Sequence, residues 1–338
     1  MGILSIFTDF FFKMMIFFMS LFTVFGTDAN APATDDAIAA LDAENVKVTA
    51  VLWADSQVSD YMYARAEAFE AASKDVANSN ENIDALFIVG DITENAHTIE
   101  KDLVLDCLSI IDNVDVMLFA TGNHDIRLQA YSLALDSFEK FCADANDGKD
   151  YTNGKMYYTY EINGYKFIVM GSTKAAFEEA VIDEEELAWL DAEVASATAD
   201  GKPAFVILHQ PLAFTHGLPV TWGSGNNKTA GSVGEASDAI KEILSKYENV
   251  FLITGHLHTG FGQYTYDEIG TIHGINLPSI GIDGADGLNI PAGMMLEIYE
   301  DKVVFRARDF ASGKYLPKYD RTYEKDAETG NFLVVEKE

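Results

Sequence analysis

Thr121-Gly122-Asn123-His124-Asp125 places three chemically capable side chains after an apolar run, residues 114–120, that reads as a buried strand. Asn123 offers an amide oxygen that can bind a metal. His124 offers an imidazole, the side-chain type that titrates nearest neutrality, and Asp125 a carboxylate that can orient such a ring. Alone this is only a polar turn. Four other polar clusters end apolar runs in the same way: Asp55-x-Gln57, Gly90-Asp91, His209, and Gly255-His256-x-His258. Open α/β sheets bind ligands at the carboxyl ends of their strands. If these strands belong to neighbouring sheets, Asp55, Gln57, Asp91, Asn123, His209, His256 and His258 converge on one rim.

That set contains oxygen and nitrogen donors and no thiolate, which suits Mn, Fe, Zn or Mg. There are donors enough for two ions. One shared carboxylate would hold them about 3.5–4 Å apart, the spacing used for phosphoryl chemistry. Such chemistry needs charge neutralisation and positioning more than covalent help. Two cations would also let an anionic substrate approach an acidic protein.

The elements that must position these residues alternate. Strands at 46–53, 83–89 and 114–120 are separated by helical spacing at 60–76 and 99–111, and a further helix is read at 128–141. This order implies a parallel α/β sheet covered on both faces. Residues 157–162 and 165–170, joined by Asn163-Gly164, predict a hairpin. A helix follows at 183–197, opened by Asp183 as N-cap. Strands at 204–209 and 250–254 flank a helix at 235–246, and short strands are expected at 263–266, 271–275, 294–299 and 303–308. The polar loop 210–234 holds His216 and Trp222, which could touch a substrate. Lone histidines are usually structural, so His97 is expected at a helix start and His273 on the surface. We read one catalytic domain from residue 45 to 338, preceded by a linker at 32–44.

The chain has 338 residues, 48% of them hydrophobic, enough for a substantial core. Twenty-three basic against 54 acidic residues leave a net charge of −31, which argues against nucleic-acid binding and against docking on anionic lipid. Cys107 and Cys142 form no CxxC pair, so a structural zinc site is not expected. Spacing leaves their pairing open, and buried free thiols are the simpler reading. Residues 10–25 are almost wholly apolar and read as part of a signal peptide or an N-terminal membrane anchor within residues 1–31. Either makes the protein exported, secreted or attached to the cell envelope. Oligomeric state is not legible.

The ordered blocks Asp55-x-Gln57, Gly90-Asp91, Gly122-Asn123-His124-Asp125, His209 and Gly255-His256-Leu257-His258 resemble the calcineurin-like metallophosphoesterase family. The resemblance runs from about residue 48 to 310, and residues 303–310 are similar to the closing strand of many members. It implies a four-layer α/β/β/α sandwich and a binuclear metal centre. Asp55, Gln57 and His258 would hold one metal, Asn123, His209 and His256 the other, with Asp91 bridging. A hydroxide bridging the metals would attack phosphorus. His124 would protonate the leaving group, with Asp125 holding its ring. The family most often has His where this chain has Gln57. An amide is a weaker, harder ligand, so two divalent ions with Mn or Fe favoured are expected rather than Zn. The implied activity is hydrolysis of a phosphomonoester or phosphodiester. The rivals are a non-catalytic metal-binding envelope protein and a nucleotide pyrophosphohydrolase. Substrate choice would fall to loops 210–234 and 282–291.

Overall fold

A computed structural model describes residues 37–281 and 290–335. The expected signal peptide or anchor at 1–31 lies outside the described residues, as do residues 282–289 of the second substrate loop. Among the described residues no helix is long and apolar enough to cross a membrane.

Three short, fully buried strands carry the first half of the chain: β1 (Val48–Trp53), β2 (Ala85–Val89) and β3 (Met117–Ala120). They are parallel neighbours, with Leu52 beside Phe87 and Phe87 beside Leu118. Continuous apolar composition suits strands covered on both faces. On the far side of β1 lies antiparallel β10 (Ala292–Ile298), then β11 (Lys302–Asp309), β13 (Arg321–Lys325) and β14 (Phe332–Val334). The two-residue β12 (Lys314–Tyr315) pairs with β11.

The second sheet has the order β4 (Tyr158–Ile162), β5 (Tyr165–Val169), β6 (Ala204–Ile207), β7 (Val250–Thr254), β9 (Ile272–Asn276), β8 (Tyr266–Ile269). The hairpin β4–β5 turns at Asn163-Gly164, where φ is +50° and +79°, the left-handed pair that such a turn requires. β5, β6, β7 and β9 are parallel.

Successive side chains on a strand point to opposite faces, and that alternation builds two cores. Phe167, Phe205 and Phe251 point toward the first sheet. Phe87 meets Phe167 at 4.9 Å, Phe167 meets Phe205 at 5.0 Å, and Phe205 meets Phe251 at 5.3 Å, joining the sheets face to face. Their neighbours Ile168, Val206 and Leu252 point the other way. They pack on Leu190 and Val194 of α5 (Glu184–Thr198) and on Ile240 and Leu244 of α6 (Ser237–Leu244). On the outer face of the first sheet, Trp53 meets Phe69 of α1 (Tyr63–Ala77) at 5.4 Å, and Phe119 meets Phe141 of α4 (Tyr131–Asp144) at 4.9 Å. The other α-helices among the described residues are α2 (Thr98–Leu108) and the single turn α3 (Asn123–Ile126).

Several expectations shift. α1 begins at Tyr63 rather than 60, because the Ser59 hydroxyl accepts the N–H groups of Tyr61 and Met62 and holds a turn there. The strand expected at 263–266 starts instead at Tyr266, since Gly262 and Thr265 close a turn on each other. β13 and β14 were not anticipated. β13 is polar except for its inward Tyr323, and β14 is only three residues long with Leu333 exposed, so neither carries a strand-length alternation. His273 is not a surface residue. It is buried between Phe251 (4.8 Å) and Tyr323 (4.6 Å), with Nδ1 2.6 Å from Glu268. Cys107 and Cys142 are free thiols, the second buried. Residues 38–44, within the expected linker, are tied to the domain. The N–H groups of Ala40, Leu41 and Asp42 donate to Glu81, Glu297 and Tyr299.

α5 opens as read, with the Asp183 carboxylate accepting the Glu186 N–H at 3.0 Å. Glu186 itself is fully buried. One carboxyl oxygen accepts from Gly171 N–H at 3.1 Å, and the other has no hydrogen-bond partner among the described residues. Burial pushes this carboxyl from the usual 4.5 up to about 8 despite that amide. Between those values the folded protein holds a proton that the unfolded chain has lost, so this residue's contribution to stability falls as pH rises from 4.5 to about 8 and is flat above. Glu186→Gln, an isostere of the protonated acid, is therefore expected to match wild type in urea denaturation at acid pH. At pH 9 it is expected to be more stable, by on the order of a few kcal/mol. A difference that does not change with pH would disprove the assignment.

Candidate active site

All seven candidate ligands sit just beyond the carboxyl ends of parallel strands from both sheets. Asp55 and Gln57 follow β1, Asp91 follows β2, Asn123 follows β3, His209 follows β6, and His256 and His258 follow β7. Five of them have left-handed backbone: Asp55 (φ +53°), Gln57 (+36°), Asp91 (+50°), His256 (+70°) and His258 (+50°). Non-glycine residues rarely adopt this conformation, and it turns each side chain off the strand toward the rim. The motif glycines are explained by crowding. A Cβ on Gly122 would come within 2.1 Å of Asp91 Oδ1, and one on Gly90 within 2.5 Å of His209 Nδ1.

The two halves of the site are linked by direct bonds. His256 N–H donates across to Asp55 Oδ2 at 2.9 Å, while Gly255 N–H on the His209 carbonyl (2.9 Å) and Gln57 N–H on the Asp91 carbonyl (2.8 Å) tie neighbouring turns within each sheet. His258 Nε2 lies 3.1 Å from Asp55 Oδ1, and His209 Nε2 lies 3.3 Å from Asp91 Oδ2. Two groups result in which all ligand atoms lie within 4.8 Å of one another: Asp55, Asp91 and His258, and Asp91, His209 and His256. Asp91 belongs to both. Gln57 adjoins the first group, its Nε2 3.2 Å from Asp91 Oδ2.

The unpaired atoms point to what belongs there. Asn123 Oδ1, His209 Nε2 and both ring nitrogens of His256 are buried without a hydrogen-bond partner among the described residues. Leaving such atoms unpaired costs about 1–3 kcal/mol each. A cation answers all of them at once, and these donors fit divalent ions. The Asn123 amide is also oriented. Its Nδ2 donates to Glu178 Oε2 at 3.1 Å, and a carboxylate can only accept, so Oδ1 is left for the centre.

Electrostatics follow the same grouping. Burial alone would raise Asp91, but His209, then His124 and His256, hold its carboxyl far below the usual range. Burial opposes protonation of His209, yet Asp91 and Asp55 push it up to about 10. His258 is likewise raised against burial by Asp55. His256 is pushed well down by burial and by His209. Ligation through His209 therefore releases a proton.

His124 belongs to neither group. Its Nε2 lies 4.0 Å from Asp91 Oδ2, while Nδ1 lies 2.7 Å from the Glu94 carbonyl. That oxygen can only accept, so Nδ1 carries a hydrogen and Nε2 is the nitrogen on the Asp91 side. Arg127 Nη2, 2.9 Å from the same Nδ1, is then a neighbour rather than a donor to it. Asp125 does not hold this ring. Its carboxylate accepts the N–H groups of Ile92 (3.1 Å), Thr93 (3.2 Å) and Gly122 (2.9 Å), clamping the β2 and β3 turns together. Burial and Asp91 push it up to about 6 against those donors. The reason is geometric: α3 starts at Asn123, so Asp125 falls in the first helical turn and turns back onto free amides.

The two loop residues separate. Trp222 reaches the centre, stacking on His256 at 4.4 Å. His216 does not. It is buried, with its N–H on Asp267 (2.8 Å) and Nδ1 2.8 Å from the Tyr264 carbonyl. His97 is exposed at the start of α2. It forms a third close group with Asp60 and Glu100, but Glu100 already accepts from Asn95 and His97 amides.

Three residues went unread in the sequence. Arg127 stands one helical turn after His124, a spacing that pairs side chains. Its guanidinium lies over Phe177 (5.4 Å) and 3.6 Å from Glu178. Glu94 stands three residues after Asp91 and supports His124. Glu178 lies in an irregular segment with no periodic signal, and only the fold brings it to Asn123.

The family model for Calcineurin-like phosphoesterase matches residues 36–260. A Rhodococcus erythropolis protein named "Probable cyclic nucleotide phosphodiesterase" is 25% identical over 275 residues, 75% of this chain and 78% of its own length. Among solved structures, a dimetal phosphatase from Danio rerio superposes with a TM-score of 0.58 at 15% identity, covering 80% of this chain and 98% of that one. A purple acid phosphatase from yellow lupin (Lupinus luteus) seeds gives 0.58 at 14% identity, covering 83% of this chain and 54% of its own. These two likenesses concern the fold. With the family matched across every strand that carries a candidate ligand, the chain belongs to the calcineurin-like phosphoesterase family and is a phosphoric ester hydrolase.

Proposed function

We propose that the protein is an exported, two-cation phosphoesterase that hydrolyses a phosphodiester or phosphomonoester with His124 as general acid. The observation that carries the reading is the pair of ligand groups sharing Asp91, with buried acceptors beside them left unpaired. Asp55, Gln57, Asp91 and His258 would hold one divalent ion, and Asp91, Asn123, His209 and His256 the other. Bound there, the ions would supply positive charge against the phosphoryl oxygens and an acidified water as nucleophile.

The chain's own residues do the rest. Asp91 balances both positions from one carboxylate. Glu178 keeps the Asn123 oxygen aimed inward. The Glu94 carbonyl holds His124 by Nδ1, so that Nε2 delivers its proton to the departing oxygen. Arg127 adds positive charge beside His124, where the ester oxygens of the substrate would lie. The Rhodococcus relative, named for action on a cyclic nucleotide, favours diesters as the first class to try.

The test is hydrolysis of bis-p-nitrophenyl phosphate against p-nitrophenyl phosphate with added Mn, before and after chelation. Turnover of at least the diester, lost on chelation and restored by Mn, is expected. No turnover of either ester by protein loaded with metal would leave the non-catalytic reading standing. Export is supported by the apolar run at 10–25. Intact protein found only in the soluble cell interior would refute it.

A further inference from the structure

The histidines of this centre are aimed in two different ways. His209 Nδ1 is held by the Val89 carbonyl at 2.7 Å, His124 Nδ1 by the Glu94 carbonyl at 2.7 Å, and His258 Nε2 lies on Asp55 at 3.1 Å. His256 is buried, yet neither of its nitrogens has a hydrogen-bond partner among the described residues. A ligating imidazole needs its ring orientation set by a group outside the metal, usually one bonded to the other nitrogen. At His256 that group is an aromatic face. The Trp222 indole lies 4.4 Å away, its plane within 19° of the imidazole plane, while the His209 ring meets His256 edge-on at 5.0 Å.

The indole is itself held in place. Gly231, at φ +76°, brings the returning loop so close that a Cβ there would stand 2.7 Å from indole Cγ. The Thr229 hydroxyl donates to Glu179 at 3.0 Å, and Gln210 Nε2 donates to the Glu178 carbonyl at 2.9 Å. The loop is thus fastened to the segment whose Glu178 orients Asn123. Two of the three side chains completing the Asp91–His209–His256 side of the centre are oriented by this wall.

We infer that Trp222 is a positioning residue of the second cation position: its stacked indole fixes the His256 ring plane, as a hydrogen bond does at His209. The inference rests on reading the centre as a two-cation site. It gives the loop 210–234 a role in retaining a cation, separate from any contact with substrate.

The experiment is a Mn²⁺ titration of metal-free protein, followed by calorimetry and by tryptophan fluorescence, in wild type, Trp222→Phe, Trp222→Leu and Trp222→Ala. The chain has three tryptophans, so the difference between wild type and Trp222→Phe isolates this one. Wild type is expected to take up two equivalents, with one step quenching the Trp222 component. Trp222→Phe keeps a stacking face and both affinities, and loses that component. Trp222→Leu and Trp222→Ala are expected to weaken one step by about 10–100-fold and leave the other unchanged. Wild-type affinities for both steps in the Leu variant overturn the inference, and so does equal weakening of both steps, which would signal general loosening. Wild type taking up fewer than two equivalents overturns the two-cation reading and this inference together.

Discussion

Asp91→Asn is expected to empty both cation positions and to lower turnover by about 10³-fold or more, because the lost charge serves both sides of the centre at once. Asp91 is the one carboxylate common to the two ligand groups, and it is 1% exposed. It also receives the His124 N–H at 2.8 Å on Oδ1. An amide keeps the size and can still accept that bond, so the turn that presents His124 should survive. What disappears is the charge facing His209, His256 and His258. Metal analysis of protein refolded or dialysed against Mn checks the first part, and steady-state hydrolysis the second. An Asn variant that keeps two ions per chain and near-wild-type turnover would show that Asp91 bridges nothing.

His124→Ala is expected to behave in the opposite way: metal content intact, turnover lowered by about 10²–10⁴-fold for esters with poor leaving groups. The ring lies outside both ligand groups, with Nδ1 on the Glu94 carbonyl and Nε2 toward Asp91. A general acid matters most when the departing oxygen is a strongly basic alkoxide and least when it is p-nitrophenolate. The slope of log turnover against leaving-group pKa should therefore steepen in the variant. Equal loss across all leaving groups would mean that His124 stabilises the phosphoryl charge instead. Loss of metal would return it to the ligand set.

The pair of predictions separates neighbours. Asn123 and His124 are adjacent in the chain, yet the first faces the cations with an oxygen aimed by Glu178 and the second faces the substrate with a nitrogen aimed by Glu94. Nothing in the dipeptide distinguishes the roles. α3 does: within one helical turn, consecutive side chains point about 100° apart.

Much of the fold was legible because its strands are short and apolar and end abruptly in Gly, Asp, Asn and His. Period-two and helical spacing separated β from α well enough that β1, β2, β7 and α5 fall where the pattern puts them. The ligand set was legible for the same reason: each member stands at the abrupt end of a buried strand. The late strands β13 and β14 were not, since β13 buries only Tyr323 and so reads as polar, and the three apolar residues of β14 are too few to show a period. Asp125 was misread because a carboxylate beside a histidine suggests a partner for the ring. Three backbone amides of neighbouring turns make a better one.

Residue type and order along the chain put seven oxygen and nitrogen donors at strand ends, the family resemblance they carry implied phosphoryl chemistry, and the net charge of −31 argued against nucleic-acid binding. Only the tertiary structure decided which atom each donor presents. Left-handed backbone at five of the ligands, Glu178 behind Asn123, Glu94 behind His124 and Trp222 on His256 all act across sequence separations of thirty residues or more, or through local strain that packing alone sustains. Side-chain type sets what a residue can bind. Where it points depends on groups that the chain brings together only after the two sheets have closed on each other.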